Sequence, residues 1–186
     1  FDMRVDVGPD GIAELSVSAE DCPGLFSRIV GFLSSKGLNI VEGRLFTGKN
    51  GIVIDKISVS NWKEVWWDGL FSDIEDGLRK IVVHDMPVNV VRREKKAAVP
   101  FDVFIELDNE ASDEFSLLEV FSPDRMGLLY DISHIMFRTD INIVSARIST
   151  DRGLAHDVFY VQSGNRKLTG EKAPEILSEI WAIFKK

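Results

Sequence analysis

One stretch of this 186-residue chain occurs twice, and the repetition constrains the fold more than any other feature. Asp21-Cys22-Pro23-Gly24-Leu25 runs on to Leu38-Asn39-Ile40-Val41. Asp124-Arg125-Met126-Gly127-Leu128 runs on to Ile141-Asn142-Ile143-Val144. Asp, Gly, Leu, Asn, Ile and Val each recur 103 residues apart (124 − 21 = 103), and residues 21–49 match residues 124–152 without gaps at nine of 29 positions. One residue is then lost, so that Gly51 and Asp55 correspond to Gly153 and Asp157 at a spacing of 102. Two copies of one small domain account for this pattern. The expected division is a first domain over 1–92, a linker over 93–100 and a second domain over 101–186. Units of roughly 90 residues bury a modest share of their surface, so packing of one copy on the other is expected.

The bulk properties bound the class. With 45% hydrophobic and 28% charged residues the chain is globular. A net charge of −8 argues against a nucleic-acid surface. A single cysteine excludes an internal disulfide and fits a reducing, cytoplasmic compartment. No apolar run reaches the ~18 residues of a membrane span, and no signal peptide is visible. The first residue is Phe, so a longer parent chain is expected.

Periodicity supplies the elements. Met3–Val7 and Ile12–Val17 alternate around the turn Gly8-Pro9-Asp10-Gly11, which reads as a hairpin. Leu25, Phe26, Ile29, Val30 and Leu33 share a helical face that opens near Pro23 and closes at Gly37. Asn39–Phe46 and Ile52–Val59 are strands about the glycine-rich turn 47–51. Trp62, Trp66 and Trp67 read as cover for a core edge. Phe71, Ile74, Leu78 and Ile81 mark a second helix, and Met86–Val91 a further strand. Arg92–Lys96 reads as a solvated linker rather than a phosphate-binding patch. The second copy repeats the order: strands over 101–107 and 115–121, a helix face from Leu128 to Met136, strands over 142–149 and 155–161, and a last helix from Ile176 to Phe184. Each copy is thus an α+β unit whose core order βαββα is that of an antiparallel ferredoxin-like sheet with helices on one face. The strand ahead of each copy should complete the sheet, occupying the slot where that fold seats its last strand.

The repeated loop carries candidate chemistry. A helix start has free backbone N–H groups and a positive dipole end, which can hold a carboxylate or phosphate. Glycine lets a ligand approach the backbone. Asn39 and Asn142 open the neighbouring strand with a donor and an acceptor each, enough to read an amino-acid head group. Asp21 and Asp124 read equally well as helix caps.

The βαββα order, the Asp-x-x-Gly-Leu opening and the Asn-Ile that starts the second core strand resemble the ACT domain, a small-molecule-sensing module. Asp108–Asp113, Leu118-Glu119-Val120, Ser122–Ile132, Ser145–Ile148, Asp157–Val161 and Lys167-Leu168-Thr169 are similar to the C-terminal tandem ACT region of bacterial PII-protein uridylyltransferase/uridylyl-removing enzymes. That resemblance implies a non-catalytic, metal-free and cofactor-free region that senses an amino acid, glutamine first, in the control of nitrogen metabolism. It implies upstream nucleotidyltransferase and hydrolase domains, contact with PII protein through the parent enzyme, and assembly through ACT sheets. It places ligand contacts at Asp21, Gly24, Leu25, Asn39 and Ile40 in the first copy. In the second copy it places them at Asp124, Met126, Gly127, Leu128, Asn142 and Ile143. The chain departs from the family pattern at Met126 for proline, Cys22 for arginine and Asp140 for glycine.

Three other readings compete. An enzyme needs a recurring nucleophile–base pair or metal cluster. His84, His134 and His156 fall at unmatched positions of the repeat, and Cys22 at a helix start reads as a small structural residue. An RNA-binding module needs stacking aromatics and basic residues on its third strand, and Ile52–Val59 offers only Lys56. A stand-alone regulator of two ACT domains, resembling the glycine-cleavage repressor, fits the chain length. The Asp108–Asp113 segment favours the transferase.

Overall fold

The computed structural model describes residues 1–8, 11–60, 62–63, 69–84, 88, 90 and 102–185. Its elements follow the repeat. The first copy runs β1 (Asp2–Val7), β2 (Ala13–Glu20), α1 (Leu25–Ser35), β3 (Asn39–Phe46), β4 (Ile52–Ser60) and α2 (Leu70–His84). The second runs β5 (Phe104–Asp108), β6 (Ser116–Pro123), α3 (Leu128–Arg138), β7 (Asn142–Asp151), β8 (Leu154–Gln162) and α4 (Lys172–Ala182).

The strands form one antiparallel sheet of eight, in the order β1-β2-β4-β3-β7-β8-β6-β5. Within each half the leading strand sits beyond the first core strand, as expected: β1 pairs with β2, and β5 pairs with β6 from Phe104↔Phe121 to Asp108↔Leu117. The two sheets expected from the duplication are joined into one. β3 and β7, which would otherwise be exposed edges, pair across the copies from Glu42↔Ser149 to Phe46↔Ser145. Joining them removes two open rows of backbone donors and acceptors. Arg44 faces Arg147 in this register, and these are equivalent residues of the repeat (44 + 103 = 147). A local two-fold axis therefore passes through the seam and relates the copies.

Alternate residues make the core. Ala13, Leu15, Val17 and Ala19 of β2, and Val53, Ile57 and Val59 of β4, are buried. So are Leu118 and Val120 of β6, and Ala155, Phe159 and Val161 of β8. The intervening residues are half or fully exposed, so the helices cover one face and leave the other open. Val7, Phe46, Ile54 and Phe104 are the large apolar side chains exposed on strands. The buried residues form one continuous cluster across both copies. Burying a Leu or Ile fully is worth ~1.5–3 kcal/mol, so the shared core ties the halves together.

Some local details refine the sequence reading. Helix α1 begins at Leu25, two residues after Pro23, because Gly24 is the N-cap. Val88 and Val90 lie in no strand, and the rest of 86–91 is outside the described residues, as are the linker 93–100, Trp66 and Trp67. Trp62 is buried against Phe71 (5.9 Å between rings), as a core-edge residue should be. The Asp108–Asp113 turn is a structural latch: Asp108 Oδ1 accepts the Glu110 and Ala111 N–H groups, and Asn109 Nδ2 donates to the Leu168 carbonyl at 2.9 Å. Ser116 Oγ receives the Leu168 N–H at 2.7 Å.

Candidate functional site

The two repeated loops are built alike. Each leaves its strand through an aspartate whose N–H donates to a turn glycine, Asp21 to the Gly51 carbonyl and Asp124 to the Gly153 carbonyl, both at 2.8 Å. Each then enters its helix through glycine in the left-handed region, Gly24 at φ 73° and Gly127 at φ 82°. Only glycine adopts that conformation without strain. The N-cap positions themselves are glycines and offer no side-chain cap bond. Asp21 and Asp124 stand three residues ahead of the N-cap and face β4 and β8.

What they face was not singled out from the sequence. Asp55 and Asp157 replace an apolar residue on the core side of β4 and β8 and are 3% and 2% exposed. Burial pushes the Asp55 carboxyl up to about 7; a hydrogen bond with the Phe46 backbone opposes the rise, and the Asp21 charge adds to it. Burial pushes Asp157 up to about 8, opposed by a hydrogen bond with the Ser149 backbone and reinforced by Asp124. Partial burial also raises Asp21, against a hydrogen bond with the Cys22 backbone. Each copy therefore holds a pair of interacting carboxyl groups under its glycine loop. The signal was legible: both aspartates sit in phase with buried apolar neighbours, and they recur in the repeat.

The first loop forms one wall of a small cleft that is open to solvent. Asp21, Cys22, Gly24, Leu25 and Asp55 come from the first copy; Phe137, Asn142 and Ile143 come from the second. The cleft thus joins Asp21, Gly24 and Leu25 to Asn142 and Ile143, across the seam rather than within a copy. Asn39 and Ile40 lie at the start of β3, the positions equivalent to Asn142 and Ile143, and Asp124, Met126, Gly127 and Leu128 form the second loop and helix start. The start of each facing strand is bulged, between Ile40 and Glu42 in β3 and between Ile143 and Ser145 in β7. The second bulge is tied to the seam: the Val144 carbonyl accepts the Thr47 N–H at 3.3 Å, and Ser145 Oγ donates to the Leu45 carbonyl at 2.9 Å.

His134 stacks on Tyr130 at 5.1 Å, and His156 Nε2 meets Glu119 Oε1 at 2.5 Å on the open sheet face; the His84 side chain is outside the described residues. Among the described residues no group of three or more His, Cys, Asp or Glu is arranged to hold a metal ion. Among them, too, no helix is long and apolar enough to cross a membrane.

Residues 104–182 match the family model described as "ACR9-like, ACT-like domain". This half of the chain is an ACT-like domain. The first half repeats its fold, so the molecule is a tandem of ACT-like domains sharing one sheet. The tandem is 33% identical over 176 residues to a bifunctional uridylyltransferase/uridylyl-removing enzyme of Bradyrhizobium diazoefficiens, and 35% identical over 173 residues to that of Azospirillum brasilense. Each alignment covers 86% of this chain and 18% of the relative, so the chain spans about a fifth of those proteins. Among solved structures, aspartate kinase from Synechocystis superposes with a TM-score of 0.52 at 13% identity, covering 95% of this chain and 27% of that one. That likeness concerns the fold alone.

Proposed function

We propose that this tandem of ACT-like domains is the amino-acid-sensing region of a PII-protein uridylyltransferase/uridylyl-removing enzyme, with glutamine as effector. The observation that carries the reading is the cleft itself. It takes its glycine loop and helix start from one copy and its Asn142 from the other, so a ligand bound there would touch both domains. A ligand that favours one relative setting of the domains shifts the population toward it. The positive end of α1 and the amide of Asn142 suit a carboxylate-bearing ligand. Similarity to the uridylyltransferases supports the parent activity, and the proposal extends it to contact with PII protein and a place in nitrogen metabolism. In this reading the segment itself turns nothing over, works in a reducing cytoplasmic compartment and is free to assemble further through its open sheet face.

Calorimetry with a panel of free amino acids at millimolar concentration tests the reading, with glutamine expected to bind. Absence of heat and of any thermal shift with every member would remove it. Incubation with UTP or uridylylated PII protein should give no turnover.

A further inference from the structure

The mechanism above uses the glycine loop, the helix start and Asn142, and leaves the two buried carboxyl pairs without a task. Asp157 is 2% exposed, faces Asp124, and its Oδ1 has no hydrogen-bond partner among the described residues. Asp55, its equivalent, lines the cleft together with Asp21. The only other titratable group among the lining residues is Cys22, and no Lys, Arg or His is among them. A buried carboxyl group normally finds a cation or a full set of donors, because an uncompensated charge in the interior is costly. Here two carboxyls face each other in each copy, beneath the glycine loop; in the second copy the neighbouring Arg125 of that loop is engaged with Asp131 at 2.7 Å.

We propose that Asp157, and Asp55 in the first copy, receive the ammonium group of the amino-acid effector. The assignment rests on the sensing reading and adds to it which residues recognise the positive end of the ligand. A free amino acid is a zwitterion. Its carboxylate suits the positive end of the helix that starts at Gly24 or Gly127, and its ammonium suits the carboxyl on the strand beneath that loop. Among the described residues no third ligand joins either pair, which fits a monovalent ammonium rather than a metal ion. Without ligand the strand carboxyl is held protonated by its burial; an incoming ammonium favours the ionised form, so binding releases a proton to solvent.

Titration of L-glutamine into the 186-residue chain, in two buffers of different ionisation enthalpy, reads affinity and proton release together. Affinity should rise with pH between about 6 and 8, with up to one proton released per site at the lower end. Asp157→Asn imitates the protonated carboxyl, so the fold should persist by thermal denaturation. Its affinity should fall tenfold or more at that site and its proton release should vanish, as befits loss of a charge-assisted bond. Asp55→Asn, at the more open cleft, makes the same test should the first variant not fold. Glutaramic acid, which is glutamine without its ammonium group, should not bind. Glutamine binding with unchanged affinity and unchanged proton release in both folded variants overturns the assignment while leaving the sensing reading intact. Glutaramic acid binding as well as glutamine does the same. Absence of binding by the unaltered chain overturns both.

Discussion

The first helices of the two copies occupy equivalent places and carry opposite surfaces. Where α1 has Ser27, Gly31 and Ser34, α3 has Tyr130, His134 and Phe137, each pair 103 residues apart. These positions are spaced four and three, one stripe of a helix. On α1 the stripe is small and buried; on α3 it is a row of rings, with Tyr130 and His134 stacked and His134 within 6.1 Å of Phe137. The rows meet: a Cβ on Gly31 would lie 2.6 Å from Tyr130 Cδ2, and one on Gly24 would lie 2.8 Å from Phe137 Cδ2. Two identical helices crossing at a two-fold would set ring against ring or gap against gap. Divergence of the copies at this stripe fills the crossing. It also marks the first cleft, which Phe137 walls; the residue equivalent to Phe137 in the first copy is Ser34.

Making the helices alike should therefore have the largest effect at a fixed pH. Gly31→His places on α1 the residue that α3 carries, against the Tyr130 ring. Overpacking of this kind costs ~1–3 kcal/mol and here should reach the top of that range. Urea denaturation checks it. The exchange Gly31→His with His134→Gly should recover at least 1 kcal/mol relative to the sum of the single changes, because neighbours in one interface couple. Strict additivity would show that the two stripes do not depend on each other.

Much of this architecture was legible in the sequence. The alternation of Ala13, Leu15 and Val17, the helical spacing from Leu25 to Leu33, and the repeat itself lead to the observed elements. The leading strands pair as expected because a short hairpin leaves them no other slot. Two things were hidden. The joining of β3 to β7 was not visible, since an edge strand carries no mark of which edge it meets. Nor was the crossing of sites between copies, because Asp21 and Asn142 are brought together only by that joining. Asp55 and Asp157 were legible and passed over: an aspartate on a strand reads as an outward residue unless its phase against Val53 and Ile57, or Ala155 and Phe159, is counted.

The next effect is a dependence on pH. The folded pKa of Asp157, about 8, and of Asp55, about 7, lie above the ordinary carboxyl value of 3.8. A raised acid binds its proton more tightly in the folded chain. The stability it contributes is complete below the unfolded pKa and is lost as pH rises through the folded one. Each group should lower stability by up to ~1.4 kcal/mol per pH unit over that window. Denaturation midpoints should fall from pH 5 to 8. Asp157→Asn and Asp55→Asn should each flatten the curve. A variant whose midpoint still falls as steeply as that of the unaltered chain would show that its carboxyl is not the one the fold holds protonated.

The smallest effect concerns the far end of the same helices. Both close with a backbone loop of one kind: the Leu38 N–H bonds to the Leu33 carbonyl at 3.1 Å, and the Ile141 N–H to the Met136 carbonyl at 2.8 Å. Such a closure places its next-to-last residue in the left-handed region. Gly37 does so at φ 79°, and Asp140 at φ 58°. Left-handed backbone costs an ordinary L-residue ~1–2 kcal/mol, less for Asp and Asn. Against this, glycine loses more freedom on folding, ~0.5–1 kcal/mol. Asp140→Gly should therefore stabilise the second copy by no more than about 0.5–1 kcal/mol, and Gly37→Asp should destabilise the first by a similar amount. Thermal denaturation of the two single variants and of the double exchange resolves this. If the exchange restores wild-type stability, the two closures are energetically equivalent.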